Sequence, residues 1–246
     1  MIIVVLMAGN SIRFREKGFT VPKPFIELKK GLTILDYTLD SFDTALCPIY
    51  FTIRSDWDYW PENELKTKYP RAKFVYFNKL TRGNLETAFL ALAQIDCKGD
   101  SDIMFLDCDN HYDESGLPES LHRHSGDFGH VCCFRPIDDS AKWGFAIPSG
   151  NQIIKFMEKD PAAFLLGGLP MIGNFYFSSI KLFKLIAEKT LYHGAKVKNE
   201  FFMTQAMQKL IDYDIPVYYH VSPKMIPLGT PEDYEAAKKG LNENLP

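Results

Sequence analysis

Residues 2–28 decide the fold; they read IIVVLMAGNSIRFREKGFTVPKPFIEL, an apolar run followed directly by a long polar loop. The run from Ile2 to Met7 is apolar throughout, which predicts a strand covered on both faces. In open α/β sheets, ligands bind beyond the carboxyl ends of the strands. The loop that begins at Ala8 therefore occupies the place where a binding site is expected.

The rest of the first half repeats this pattern of apolar strands separated by amphipathic helices. Further strands are predicted at 49–53, 74–77 and 103–106. Apolar residues recur at helical spacing from Leu85 to Ala93, and again from Ile34 to Phe42. This alternation predicts an α/β fold with a Rossmann-like, doubly wound, mostly parallel sheet.

The second half has an α+β pattern. Residues 144–148 and 152–157 flank Ser149-Gly150-Asn151 and predict a hairpin, and further strands are predicted at 171–177 and 215–221. Helices are predicted at 180–188 and 201–211, and a last helix is predicted to begin after Thr230. We expect one domain, 1–246, with a nucleotide-binding half (1–110) and an acceptor-binding half (111–246).

Composition excludes several classes of protein. The 246 residues carry a net charge of −3, which does not favour nucleic-acid binding. The five cysteines show no metal-binding spacing and are typical of reduced, buried thiols. No apolar run approaches the roughly 20 residues of a membrane span, so a cytoplasmic protein without membrane contact is expected. Histidines 111, 122, 124 and 130 lack a ligand spacing.

The loop after the first strand has the chemistry of a triphosphate site. Gly9 allows backbone N–H groups to approach a phosphate, and Arg13 and Lys23 supply positive charge. Pro22 and Pro24 restrict the backbone on either side of Lys23. The spacings of the two common glycine-rich phosphate loops are absent. Taken alone, a solvated basic loop remains an alternative.

These motifs resemble those of the sugar-phosphate nucleotidyltransferases, and of their compact members from surface-polysaccharide gene sets in particular. Residues 8–14, AGNSIRF, match the family's AGxGxRF-like loop, and residues 22–24 match its PKP motif. Ser11 stands where the family usually has a second glycine. The resemblance implies catalytic roles for Arg13 and Lys23. It also implies a set of nucleotide-binding residues: Ala8, Gly9, Asn10, Ser11, Arg13, Lys23, Thr81, Gly83 and Asp107.

Paired aspartates follow the predicted strand at 103–106. Asp107 and Asp109, two residues apart at a strand end, can share a hard cation such as Mg²⁺. In the resembled family this strand ends in a metal-binding aspartate followed by Asn or Gln, which assigns the metal to Asp109 with Asp107 assisting. The family's second metal aspartate precedes a GTP-type helix start, but Pro227 and Leu228 occupy the corresponding places here.

The second half contains further matches in the family's order. Met157-Glu158-Lys159 is similar to a VEK motif whose lysine binds the acceptor's phosphate, and the segments at 173–177 and 199–202 follow it. The resemblance implies four acceptor-binding residues: Lys159, Gly173, Asn174 and Glu200.

The implied reaction is transfer of NMP from an NTP (CTP, UTP or dTTP) to a small phosphorylated metabolite such as a sugar 1-phosphate, with release of pyrophosphate. A role in capsule precursor synthesis is expected. Two alternatives remain open: a GT-A-type glycosyltransferase using Asp107 and Asp109 as a DxD motif, and a catalytically inactive nucleotide-binding relative. The sequence does not determine whether the chain forms a homo-oligomer.

Overall fold

The apolar runs of the sequence form the strands of a nine-stranded sheet, flanked by two short two-stranded sheets. The computed structural model describes residues 1–40, 42, 47–97, 99–136 and 142–243. The strands of this described part are β1 (Ile2–Leu6), β2 (Glu27–Lys29), β3 (Leu32–Thr33), β4 (Ile49–Arg54), β5 (Lys73–Phe77), β6 (Ile103–Asp107), β7 (Asn110–Tyr112), β8 (Gly129–Phe134), β9 (Gly144–Ser149), β10 (Gln152–Glu158), β11 (Leu169–Phe177), β12 (Val217–Ser222) and β13 (Met225–Pro227).

Helices cover both faces of the large sheet. A 3-10 helix spans Lys23–Phe25, within the loop after β1. The α-helices of the described residues are α1 (Ile12–Glu16), α2 (Ile34–Leu39), α3 (Glu62–Lys68), α4 (Asn84–Ala91), α5 (Leu117–His122), α6 (Ala162–Leu165), α7 (Ile180–His193), α8 (Met203–Asp212) and α9 (Pro231–Glu243).

The first half has the doubly wound arrangement predicted from the sequence. Strands β5, β4, β1 and β6 lie side by side in that order, and each neighbouring pair is parallel. Alternate residues of β1 face opposite sides, so Val4 packs in the core beneath α4 and α7 whereas Ile3 packs in the core beneath α2 and α3. The predicted α/β fold class is confirmed.

The second half continues the same sheet with mixed pairing. Strand β11 runs antiparallel to both β6 and β8 and so links the two halves. The predicted hairpin is confirmed as β9 and β10, which are antiparallel. Strand β8 was not predicted, although its adjacent residues Cys132 and Cys133 are buried as expected. The order after β6 is β11, β8, β12, β10 and β9.

The last helix fixes the loop that follows β1. As predicted, Thr230 precedes the helix, and its Oγ1 accepts a hydrogen bond from the Asp233 N–H at 3.1 Å. Further along α9, Tyr234 packs edge-on against Phe14 and Phe19 and donates a hydrogen bond to the Glu27 carbonyl oxygen at 2.9 Å. The start of α9 is thereby held beside the loop. Within the described residues, no helix is long and apolar enough to span a membrane.

Candidate active site

A cleft of about 860 Å³ opens at the carboxyl ends of β1 and β6. Its walls come from the loop after β1, the segment before α4, the end of β6, strands β10 and β11, the residues before α8 and the start of α9. The predicted nucleotide-binding residues Ala8, Gly9, Asn10, Ser11, Arg13, Lys23, Thr81, Gly83 and Asp107 all line it. So do Asp109 and three of the four predicted acceptor-binding residues, namely Lys159, Gly173 and Glu200.

Ser11 links the first part of the loop to Lys23. Its Oγ accepts a hydrogen bond from the Lys23 backbone N–H at 3.0 Å. Ser11 has φ 52° and ψ 32°, the left-handed conformation that glycine adopts without steric cost. This backbone explains why a glycine fits the position, and the hydrogen bond shows what the serine adds here.

Lys23 and Asp109 form an ion pair within the cleft. The distance between Lys23 Nζ and Asp109 Oδ2 is 2.5 Å, and the two side chains are 20% and 19% exposed. Burial lowers the pKa of the Lys23 ammonium, but the charge and hydrogen bond of Asp109, together with the neighbouring Cys108 and Asp107, raise that pKa above its ordinary value. Lys23 is therefore charged throughout the physiological range.

Asp107 lies against the backbone of β11. A Cβ atom added to Gly173, whose φ is 96°, would lie 2.5 Å from Asp107 Oδ2. Burial, followed by the neighbouring negative charge of Asp109, raises the pKa of the Asp107 carboxyl to about 7, whereas the charge of Lys23 and a hydrogen bond from Asn84 lower it. Two carboxylates and one ammonium thus share a small, partly dehydrated region.

The aspartate pair fits a magnesium ion that keeps part of its shell for the substrate. Among the described residues, no group of three or more His, Cys, Asp or Glu side chains is arranged to hold a metal. Magnesium is commonly held by one or two carboxylates together with substrate phosphates and water, so Asp107 and Asp109 are a suitable donor set.

The segment before α9 passes directly beside Asp109 without adding a carboxylate. The Leu228 N–H donates to the Asp109 carbonyl oxygen at 2.8 Å, and a Cβ on Gly229 would lie 3.1 Å from Asp109 Oδ2. In this segment a glycine therefore lies beside the Asp109 carboxylate.

Gly83 lines the cleft and also packs against the backbone of Phe201. Its φ is 136°, and a Cβ there would lie 2.3 Å from the Phe201 carbonyl oxygen. Thr81 is held nearby, because its Oγ1 lies 2.6 Å from Thr87 Oγ1. The close approach of the Phe201 backbone therefore requires glycine at this position, independently of any role in nucleotide binding.

Lys159, which directly follows β10, lines the cleft on the side formed by β10 and the residues before α8. Its Nζ lies 4.6 Å from the centre of the Phe202 ring and 3.9 Å from Glu158 Oε1. Burial raises the pKa of Glu158, which also accepts a hydrogen bond from Thr204 at 3.0 Å. The neighbouring turn contributes Glu200, whose backbone pairs with Val197.

The acceptor-binding role predicted for Asn174 does not fit its position. Its side chain is 3% exposed and lies among the residues between the sheet and α5, not along the cleft. Its Oδ1 accepts from the Cys132 N–H at 2.6 Å, and its Nδ2 donates to the Tyr112 hydroxyl at 2.8 Å. Because successive strand residues point to opposite faces, Gly173 and Asn174 do not both face the cleft.

Two polar contacts at the cleft were missed in the sequence. At the end of β4, Arg54 donates from Nη1 to Asn10 Oδ1 at 2.6 Å, which connects the loop after β1 to β4. Across the opening, Lys142 Nζ lies 2.9 Å from Asp233 Oδ1. The strand-end position of Arg54 was a usable signal, since strand ends form the ligand edge of such sheets. The contact between Lys142 and Asp233 joins residues that are distant in sequence, and no local sequence signal predicts it.

Solved structures share this fold over the whole chain. A nucleoside-diphosphate-sugar pyrophosphorylase from Vibrio cholerae RC9 aligns with 97% of this chain and 100% of its own, at 24% identity and a TM-score of 0.80. An inositol-1-phosphate CTP transferase from T. maritima aligns with 99% of this chain and 97% of its own, at 15% identity and a TM-score of 0.72. A UDP-glucose pyrophosphorylase complexed with UDP-glucose aligns with 100% of both chains, at 17% identity and a TM-score of 0.75.

At these identities the likeness shows the fold, which is one used by nucleotidyltransferases. No protein-family profile matches the chain, and no curated protein matches it in sequence.

Proposed function

We propose that this protein is a nucleotidyltransferase. It transfers NMP from CTP, UTP or dTTP to a small phosphorylated metabolite, such as a sugar 1-phosphate, and releases pyrophosphate. The proposal extends to capsule precursor synthesis in the cytoplasm. The observation that carries it is the ion pair between Lys23 and Asp109 at the strand edge, where Ser11 connects Lys23 to a phosphate-type loop.

The reaction requires positioning more than acid–base chemistry. An oxygen of the acceptor phosphate attacks the α-phosphorus of the NTP and forms a new P–O bond. The bond from that phosphorus to the oxygen bridging to the β-phosphate breaks, and pyrophosphate leaves with the electron pair. Because the second pKa of a phosphate monoester is about 6, the attacking oxygen is largely deprotonated at neutral pH.

The cleft residues divide this work between its two sides. On the nucleotide side, backbone N–H groups of the loop after β1 would bind the triphosphate, and Lys23 with Arg13 would stabilise the negative charge that develops on it. On the acceptor side, Lys159 would hold the acceptor phosphate. Asp107 and Asp109 would hold magnesium, which supplies further positive charge to the phosphates when bound.

The experiment is pyrophosphate release in the presence of Mg²⁺, with four NTPs crossed against sugar 1-phosphates and other phosphorylated metabolites. Release with one NTP–acceptor pair supports the proposal and identifies both substrates. A matched reaction with Lys23→Ala controls for contaminating enzymes. NTP binding without release by any pair would favour the inactive relative. Hydrolysis or transfer from a sugar nucleotide without pyrophosphate would favour the GT-A-type glycosyltransferase.

A further inference from the structure

The ion pair between Lys23 and Asp109 bears on how a metal ion reaches this cleft. One carboxylate oxygen of Asp109, Oδ2, lies 2.5 Å from the Lys23 ammonium. The other, Oδ1, accepts a hydrogen bond from Asn110 Nδ2 at 3.3 Å. Both carboxylate oxygens of the predicted metal ligand therefore already have partners within the protein.

The surroundings of Asp109 supply no additional carboxylate from the segment before α9. That segment is held at Asp109 by the hydrogen bond from the Leu228 N–H, and its residue beside Oδ2 is Gly229. In the nucleotide-free protein, a divalent cation that binds Asp109 would first have to displace the Lys23 ammonium, because the two positive charges repel each other at short range.

Lys23 can leave Asp109 without disturbing the loop. Its backbone is fixed by Ser11 and by the flanking Pro22 and Pro24, while the ammonium is carried on a flexible four-carbon side chain. A triphosphate in the cleft offers the ammonium an alternative anionic partner and offers the metal further oxygen ligands.

We propose that Lys23 acts as the resident cation of Asp109 in the nucleotide-free protein, so that the divalent metal enters together with the nucleotide and not before it. The part concerning the nucleotide rests on the proposed function. The part concerning Asp109 does not, because it describes the protein alone.

The test is binding of Mn²⁺ to the nucleotide-free protein, measured by the loss of the free-ion electron paramagnetic resonance signal. The wild type should bind Mn²⁺ weakly, whereas Lys23→Gln, which keeps a polar side chain of similar length, should bind it at least tenfold more tightly. In the double variant Lys23→Gln/Asp109→Asn the gain should disappear.

A matched control separates the specific ion pair from the change in net charge. Lys142 lines the same cleft and is paired with Asp233, so Lys142→Gln removes the same charge and leaves the Asp109 pair intact. It should bind Mn²⁺ like the wild type. An equal gain in Lys142→Gln, or a gain that persists in the double variant, would overturn the proposal.

If Lys23→Gln fails to fold, Mn²⁺ binding by the wild type still tests the proposal. Tight Mn²⁺ binding by the nucleotide-free wild type would refute the masking of Asp109 and leave the transfer reaction untouched. Conversely, failure of the pyrophosphate-release panel would refute the proposed reaction without altering the Mn²⁺ result.

Discussion

The Ser11 hydroxyl accepts a hydrogen bond from the backbone N–H of Lys23 at 3.0 Å, across a loop that would otherwise join the two residues only through the chain. The same serine has a left-handed backbone, with φ 52° and ψ 32°. Such a conformation costs a non-glycine residue about 1–2 kcal/mol. A strained residue that holds another in the cleft is typical of functional loops.

Ser11→Ala and Ser11→Gly separate the hydrogen bond from the strain. Both remove the hydroxyl, but only glycine relieves the backbone. We expect Ser11→Ala to lower the free energy of unfolding by about 1 kcal/mol, and Ser11→Gly to be the more stable of the two. Pyrophosphate release should fall by a similar factor in both variants, because both lose the contact that positions Lys23. If Ser11→Gly kept the turnover of the wild type and only the less stable Ser11→Ala lost it, the positioning role of the Ser11 hydroxyl would be excluded.

Lys23→Ala should reduce pyrophosphate release by about 10²–10³-fold, by analogy with other removed charge stabilisers. The loss should appear mainly in kcat, since the charge on the leaving phosphates develops in the transition state. Lys17→Ala provides the control: Lys17 lies in the same loop, and its Nζ lies 3.7 Å from Oε1 of the exposed Glu232. Full turnover by Lys23→Ala would contradict the assignment.

Gly173→Ala should displace Asp107, because the new Cβ would lie 2.5 Å from the Asp107 carboxylate. We expect at least a tenfold fall in turnover together with a higher Mg²⁺ requirement. The matched control is Gly167→Ala, since Gly167 has φ 68° and no atom within 4 Å of the added Cβ. In both variants the alanine must adopt a positive φ, which costs roughly 1–2 kcal/mol of stability. A loss of turnover in Gly173→Ala that does not occur in Gly167→Ala is therefore due to the displacement of Asp107.

Asn174→Ala should destabilise the protein without weakening acceptor binding. It removes buried partners of the Cys132 N–H and the Tyr112 hydroxyl, which should lower the free energy of unfolding by about 1–3 kcal/mol. The KM for the acceptor should remain near that of the wild type, in contrast to a raised KM in Lys159→Ala. A raised acceptor KM in a folded Asn174→Ala protein would restore a direct role for this residue.

Stability should decrease in mild acid because of His130. Burial, followed by the positive charges of His220 and His124, lowers the pKa of His130 to about 3, and its Nε2 lies 2.8 Å from Ser120 Oγ. The unfolded chain takes up a proton below about pH 6.5 while the folded chain does not, so folding becomes less favourable as the pH falls from 6.5 towards 3.

His130→Gln tests this pH dependence. Between pH 7 and pH 5, the wild type should lose about 2 kcal/mol more unfolding free energy than the variant, measured by urea denaturation at each pH. His124 and His220 remain in both proteins and so cancel to a first approximation. Parallel pH profiles would show that folding does not lower the pKa of His130.

Much of the fold was predictable because strands and helices left clear local patterns. The run from Ile2 to Met7 predicted β1 to within one residue, and the turn at Ser149-Gly150-Asn151 predicted the hairpin of β9 and β10. Strand β8 was not predicted, because its apolar residues were interpreted only as core and the partners that define it as a strand lie in β11 and β12.

The site was predictable at the level of motifs and less so at the level of side-chain direction. The sequence predicted Lys23 and Asp109 as site residues, and both line the cleft, but their ion pair depends on the approach of two segments 86 residues apart. It also assigned Asn174 to the acceptor, although strand alternation directs that residue away from Gly173. Arg54 lacked a motif, since its contact with Asn10 arises from the order of β1 and β4 in the sheet.

Strand β11 has a consequence for the order in which the chain can complete its structure during synthesis. The leading half ends with β6, whose free edge is covered only when β11, residues 169–177, pairs with it. Until the ribosome has made more than two thirds of the 246 residues, that edge has no partner from its own chain. An open strand edge is a template for pairing between chains. The nascent protein is therefore most exposed to aggregation after β6 has been translated and before β11 has been made to cover its edge.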